Sequence, residues 1–309
     1  MISRDNNLLN ISWLCEIVQV SRSGFYAWKK RNAKRIEREK KDEKDFELIL
    51  AAFNKRGYSK GSRSIHMTLL HQGVVMNRKK IIRLMKKFNL VCPIRKPNPH
   101  KQAMKYSNEQ RVKDNLVNRH FKMGGPKTIL LTDITYLYYG KGKIAYLSTI
   151  KDAYTNQILS YELSESLKVD IVLNTVSKLM KKHHISKNKK LIIHSDQGIH
   201  YTCTSFQELV SASGLKQSMS RKGNCWDNAP QESFFGHMKD EIKSIKGIHV
   251  FQDLVRLIDD YIDYYNNDRF QIGLAKLSPN QFETYIKTGD YPLIQYQNPP
   301  AVPISHYRS

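Results

Sequence analysis

The chain is predicted to be an α/β protein, with a mixed sheet and flanking helices over residues 120–286 preceded by an all-α basic region. Three observations predict it. Beyond Pro126 the apolar residues fall in strand-like runs that alternate with amphipathic helices, whereas the periodic segments before it have helical spacing. Pro93–Asn108, with three prolines and several cations, separates the two regimes. The charge divides the same way: residues 1–127 carry 30 Lys and Arg against 10 Asp and Glu, and residues 128–309 carry 21 against 18.

In chain order, Asn10–Gln19 has helical apolar spacing at Ile11, Leu14, Ile17 and Val18, and Ser21 is a natural N-cap for Arg22–Arg31. The pair reads as a helix-turn-helix fragment. Lys29–Lys44 mixes acids and bases without an apolar stripe, as a solvated helix or linker does, so residues 1–44 form a first region. A second helical unit spans 45–92. Asp45–Lys55 is a helix, Gly57-Tyr58-Ser59-Lys60-Gly61 a turn, Ser62 caps Arg63–Gln72, and Asn77 caps Arg78–Phe88. In the last helix Ile81, Ile82, Leu84 and Met85 can face inward, leaving Arg78, Lys79, Arg83, Lys86 and Lys87 as a basic outer face of the kind that meets phosphates. A basic linker follows at 93–119.

The core then opens with strands Thr128–Tyr139 and Lys143–Ile150 around the turn Gly140-Lys141-Gly142, and a third strand at Asn156–Leu163. Helix Val169–His183, strand Lys190–Ser195, helix Ser205–Ala212, strand Leu215–Ser220 and helix Ala229–Ile245 complete it, with a last helix at Phe251–Asn266 and a tail at 287–309. Three strands in hairpins, then helix, strand, helix, strand, helix, is the order of a ribonuclease-H-like layered fold.

A net charge of +23, concentrated in the first two-fifths of a 309-residue chain, points to a polyanionic partner such as nucleic acid. Apolar residues at 40 % exclude wholesale disorder. Cys15, Cys92, Cys203 and Cys225 have no C-x-x-C spacing, which speaks against a zinc module and for a reducing compartment. The absence of a long apolar segment and the polar start Met1–Asn10 predict a cytoplasmic protein without a signal peptide or membrane span.

The chemistry lies in three acids. Asp133 sits in the middle of the run Ile129–Tyr136, Asp196 at the end of Leu191–Gly198, and Glu232 in the first turn of the helix after Asn228, with 35 residues between the last two. A carboxylate among apolar neighbours costs several kcal/mol unless it meets a cation or a hydrogen-bond donor. Three such acids on separate elements predict a divalent-metal site of hard oxygen ligands, suited to Mg²⁺ or Mn²⁺. Two such ions about 3.5–4 Å apart serve in-line attack on a phosphodiester. Gly198 would let the chain turn beside Asp196, and Asn228 with Gln231 forms a capping-box-like pair that would aim Glu232. Lys239, two helical turns beyond Glu232, falls on the same face, placed to grip DNA.

Bland alternatives stand beside each of these. Asp133 can be a satisfied strand acid and Glu232 a charge favoured by the helix dipole. His194, His200 and His183 with His184 invite a zinc reading, against which a hydrogen-bonded His beside a buried Asp is commoner. Arg221–Asn228 can be a flap against DNA or a loop pinned by Trp226, and Cys225 has no evident base to make it a nucleophile. A stand-alone nuclease and a catalytically dead DNA-binding regulator are the competing functions.

The motifs Thr132–Tyr136, His194–Gly198, and Gly223–Ala229 with Glu232–Phe235 resemble those of the second-frame (OrfB) transposases of bacterial insertion sequences, which have a retroviral-integrase-like core. Tyr261–Arg269 with Leu277-Ser278-Pro279, Val20–Tyr26, and Gly57-Tyr58-Ser59 with Arg63 match as well, so the resemblance spans nearly the whole chain. Leu130, where the family usually has Trp, and Trp226, where Tyr is commoner, are small departures. The resemblance implies that Asp133, Asp196 and Glu232 are a catalytic DDE triad holding two Mg²⁺ ions, and that Lys239 touches DNA. It implies that Arg63 belongs to an internal DNA-binding helix-turn-helix. It further implies end cleavage and strand transfer on terminal inverted repeats, oligomers on DNA, and an upstream-frame (OrfA) partner often joined by frameshift fusion.

Overall fold

The computed structural model describes residues 10–92, 112–183, 191–221 and 225–293. The linker Pro93–Asn108, His184, the loop at 222–224 and the side chains of Cys225 and Trp226 lie outside that description. Four helices come first: α1 Ile11–Ile17, α2 Arg22–Asn54, α3 Ser62–His71 and α4 Arg78–Lys87. Ser21 caps α2 by accepting from the Gly24 N–H at 3.0 Å, and Asn77 caps α4 by accepting from Lys79 at 2.8 Å. Ser62 is the first residue of α3 rather than its cap, which is Gly61.

Helix α2 runs 33 residues, straight through the expected division between 44 and 45. The reason is local. Between Phe25 and Asn54 there is no Gly or Pro, and Lys, Arg, Glu and Ala dominate, so nothing stops a helix that the apolar stripe alone could not reveal. Its C-terminal part packs Ile49 and Ala52 against Ile65 and Leu69 of α3 and Ile81, Leu84 and Met85 of α4. Ile82, expected inside, is 45 % exposed, because it lies about 100° round the helix from Ile81.

The core is a five-stranded sheet in the order β3-β2-β1-β4-β5, with β1 Ile129–Tyr139, β2 Lys143–Asp152, β3 Ile158–Ser164, β4 Ile192–Ser195 and β5 Lys216–Met219. The first three strands are antiparallel, and β4 and β5 join parallel to β1. The β1–β2 turn uses Gly140 at φ +53° and Gly142 at φ +81°; a Cβ on Gly140 would stand 2.7 Å from the His249 carbonyl oxygen.

Alternation of side chains divides β1 between two cores. Leu130 and Ile134 face α5 (Asp170–His183) and α7 (Thr204–Ala212), the latter preceded by the single turn α6 (Ile199–Thr202). Leu137 and Tyr139 face α8 (Ala229–Ile242) and α9 (Phe251–Asn267). A last helix, α10 (Pro279–Thr288), packs Phe282, Tyr285 and Ile286 around Tyr154 and Leu293. Residues 112–119, expected in the linker, belong to this body: Val117 is buried with Ile129 and Leu131, and the Leu116 N–H donates to Ser218.

The helical unit is docked on the core through the turn after α2. Arg56 reaches Asp260, Asp263 and Asp268 at 2.8–3.1 Å, and the Tyr58 hydroxyl donates to Asp260 at 2.6 Å with its ring buried against Tyr261 and Tyr264. His71 stacks flat on Phe270, centroids 3.5 Å apart. No helix among the described residues is long and apolar enough to cross a membrane.

Candidate active site

The parallel register pairs Leu131 of β1 with His194 of β4. Two residues further along, that register sets Asp133 beside Asp196, the first residue past β4, on strands about 4.8 Å apart. Adjacent parallel positions point to the same side of a sheet, so both carboxylates emerge on the face that carries α8. On the other flank Asp133 pairs with Thr149 of β2. Thr149 accepts a hydrogen bond from the Gln231 side-chain amide, and Lys151, two residues on and on the same face, donates to the Pro230 carbonyl. These two bonds fix the first turn of α8, and with it Glu232, over the sheet opposite Asp133.

Asp196, Glu232 and Lys239 all lie within electrostatic reach of Asp133. Burial raises the Asp133 carboxyl well above the usual range, and the charges of Asp196 and Glu232 push it further, while the Ile134 N–H at 2.8 Å and the Lys239 ammonium act against them. Loss of hydration likewise raises Asp196, opposed by the Gly198 N–H at 2.9 Å and by His200. Glu232 stands exposed at the rim. Among the described residues no three acid, His or Cys side chains are gathered closely enough to hold an ion as they stand.

Two sequence arguments change in detail. Gly198 has φ −62°, an ordinary value, so it is not needed for a sharp turn. It is needed for room, because a Cβ there would meet Asp196 Oδ1 at 2.9 Å. The capping box at Asn228 does not form: Asn228 makes no side-chain cap, and Gln231, wholly buried, reaches across to Thr149 instead.

Lys151 and Asp227 escaped the sequence reading. Lys151 ends a strand whose alternation puts Leu147, Thr149 and Lys151 on one face, which is the signal that was available. Burial lowers its ammonium to about 7. Asp227, just before α8, is buried under Arg119 and Arg221. Tyr201, buried in α6, also lies within the fields of Asp133 and Asp196.

Of the histidines in the zinc reading, the three described ones, His183, His194 and His200, each have a partner. His194 is fully buried, with Nδ1 2.8 Å from the Ser218 hydroxyl and Nε2 3.0 Å from the Asp227 carbonyl oxygen, while His183 and His200 each bond a backbone carbonyl. That leaves little for zinc.

The other cations expected to meet DNA lie on α3 and α4. Arg78, Lys79 and Lys86 are exposed on α4. Arg83 instead forms a two-pronged pair with Asp42 of α2 at 2.7 and 2.8 Å, and Lys87 bonds Glu39 and Asp42. The guanidinium holds the Asp42 carboxyl well below the carboxylate range. Exposed Arg63, on α3, lines a cavity of about 750 Å³ that opens between Ser59–Ser64 and the Ser233, His237 and Asp240 side of α8.

A mixed five-stranded sheet in this order, covered by helices and preceded by a helical unit, is the architecture of a polynucleotidyl transferase of the integrase type. Comparison with known proteins agrees. Models described as "Integrase core domain" match residues 124–225 and 232–285, and one described as "HTH-like domain" matches 40–98. The chain is 31 % identical to the insertion element IS600 uncharacterized 31 kDa protein of Shigella sonnei, over 87 % of this chain and 97 % of that one. It is 35 % identical to an uncharacterized transposase-like protein of Haemophilus influenzae (70 % and 96 % covered), and 33 % identical to the putative transposase InsK for insertion sequence element IS150 of Escherichia coli (73 % and 78 %). The chain belongs to the insertion-sequence transposases with an integrase core domain, and acts in DNA transposition and integration.

Proposed function

We propose that Asp133, Asp196 and Glu232 form one catalytic site that first cuts the element's ends and then joins them to new DNA. In the first step a water oxygen attacks the scissile phosphorus, the P–O3′ bond breaks, and the departing oxygen takes up a proton to become a 3′ hydroxyl. In the second step that hydroxyl attacks a phosphodiester of the target, a new P–O3′ bond forms, and a target 3′ hydroxyl leaves. No protein–DNA bond is required. What supports the reading is the register of β1 against β4, together with the Gln231–Thr149 bond that holds Glu232 to the same place.

The donor set fits divalent metal: three hard oxygen ligands, one of them a carboxyl whose ionisation is opposed by burial and by its neighbours. Two Mg²⁺ ions, or Mn²⁺ in their place, would supply Lewis acidity toward the phosphoryl and leaving oxygens when bound. Asp133 and Asp196 would hold them from the sheet and Glu232 from α8, with Lys239 toward the DNA. After exhaustive chelation, cleavage of end-containing DNA is expected to return with Mg²⁺ or Mn²⁺, while Ca²⁺ restores binding with little chemistry. Recovery with Zn²⁺ alone would count against this site.

Arg63, Arg78, Lys79 and Lys86 are the phosphate contacts of the helical unit in this reading, and Arg83 and Lys87 join them in competition with Glu39 and Asp42. The DNA partners are the terminal inverted repeats and the target. Joining two ends needs two active sites, hence a homo-oligomer on DNA. The chain has no leucine heptad run to pair protomers, so an upstream-frame (OrfA) product, alone or as a frameshift fusion, would supply pairing and end recognition. A competition between end and random DNA at physiological salt tests this. The chain alone should show little preference and the fusion a large one, and a preference of several kcal/mol by the chain alone would refute the dependence.

A further inference from the structure

We infer that Arg119 and Arg221 form a phosphate clamp beside the three acids, a binding site for one backbone phosphodiester of the DNA strand being processed. The inference rests on the reading that Asp133, Asp196 and Glu232 act on DNA.

The two arginines come from segments far apart in the chain, one leading into β1 and one leaving β5, and they converge on Asp227. Arg119 Nε donates to Oδ1 at 2.8 Å; Arg221 donates from Nε to Oδ2 at 2.9 Å, from Nη2 to Oδ1 at 3.1 Å and from its backbone N–H to Oδ2 at 3.1 Å. Asn115 adds a fifth bond at 2.9 Å. The Asp227 side chain is wholly buried, whereas those of Arg119 and Arg221 are 47 % and 53 % exposed. One buried anion therefore anchors two cations that both reach the surface.

An ordinary exposed ion pair would say little, since it gains little and holds no fixed geometry. Here the acid cannot move and takes five donors, so both planar forks are oriented in advance. Orientation of that kind is what makes arginine a good phosphate ligand. The footing is shared with the acids. The carbonyl of Asp227 meets Nε2 of His194 at 3.0 Å, two residues before Asp196, and Asp227 itself lies five residues before Glu232. Beside Arg119 a cleft of about 530 Å³ runs past Lys122 to Pro230 in the first turn of α8, whose N-terminus adds its own partial positive charge.

The test is the salt dependence of duplex DNA binding by the full chain, in Ca²⁺, for wild type and for Arg119→Gln/Arg221→Gln. Losing one phosphate contact should make the slope of log K against log salt shallower by about 0.9, which at 0.1 M salt is about eightfold weaker binding. An unchanged slope in a variant that melts like wild type overturns the clamp. Should the double variant fail to fold, Arg221→Gln is compared with Arg221→Lys: a shallower slope for Gln alone supports the clamp, and equal slopes overturn it. Strand cleavage by Asp133→Asn is measured in parallel. Wild-type cleavage there would refute the catalytic reading, whereas the salt slope judges the clamp separately.

Discussion

Asp133→Ala, Asp196→Ala and Glu232→Ala are each expected to lower strand cleavage and joining by about 10³-fold or more, the equivalent of about 4 kcal/mol of transition-state stabilisation, while leaving DNA binding in place. A gel assay on end-containing DNA reads both. Near wild-type cleavage by any one of them removes that residue from the triad. Asp133→Asn separates chemistry from folding. The folded Asp133 carboxyl titrates above its unfolded value, so its contribution to stability is present below the unfolded pKa and is lost as pH rises through the folded one. At pH 7 without divalent cations the side chain therefore costs stability. Asp133→Asn is expected to melt higher than wild type there, by about 2–4 °C for each kcal/mol relieved, and to lose the stabilisation that Mg²⁺ gives the wild type. A lower melting temperature for Asp133→Asn in chelator would show that the acid is satisfied by its surroundings.

The order of elements in the core could be read from the chain because each strand and helix carries its own period, and the acids could be read because an Asp inside an apolar run is unusual wherever the run folds. What brings the acids together was less legible. The β1–β4 register is a matter of two strands more than fifty residues apart, and no local pattern states it. Gln231 looked like half of a cap because sequence shows only its neighbours three residues away, while its partner Thr149 lies on another strand. The basic face of α4 was visible as a run of cations, yet its pairing with Glu39 and Asp42 depends on α2 continuing unbroken alongside it. Tyr58 read as part of a turn, with Arg56 between it and the preceding helix; only the tertiary fold makes that segment the joint between the helical unit and α9.

The far end of α8 should matter as much to stability as the near end does to chemistry. Glu241 there accepts from Arg269 at 2.7, 2.9 and 3.1 Å and from the Tyr261 hydroxyl at 3.0 Å, and its carbonyl accepts from the Ser59 N–H of the helical unit at 3.4 Å. Both charged side chains are about 15 % exposed. Tyr261 and Arg269 are the ends of the segment whose resemblance to the transposases had no chemical meaning in sequence. The structure gives them one: they clasp the helix that carries Glu232. Removing one member of a buried pair leaves the other desolvated and uncompensated, so Glu241→Ala is expected to cost about 3–5 kcal/mol in urea denaturation. Cleavage should fall as well, because a shift of about 1 Å in a positioned group can cost about 100-fold. Glu241→Leu with Arg269→Met, which removes both charges and refills the space, should recover most of the stability. The pair would then have to be demoted to a surface contact if Glu241→Ala lost less than about 1 kcal/mol and cleaved normally, since exposed ion pairs rarely exceed that value.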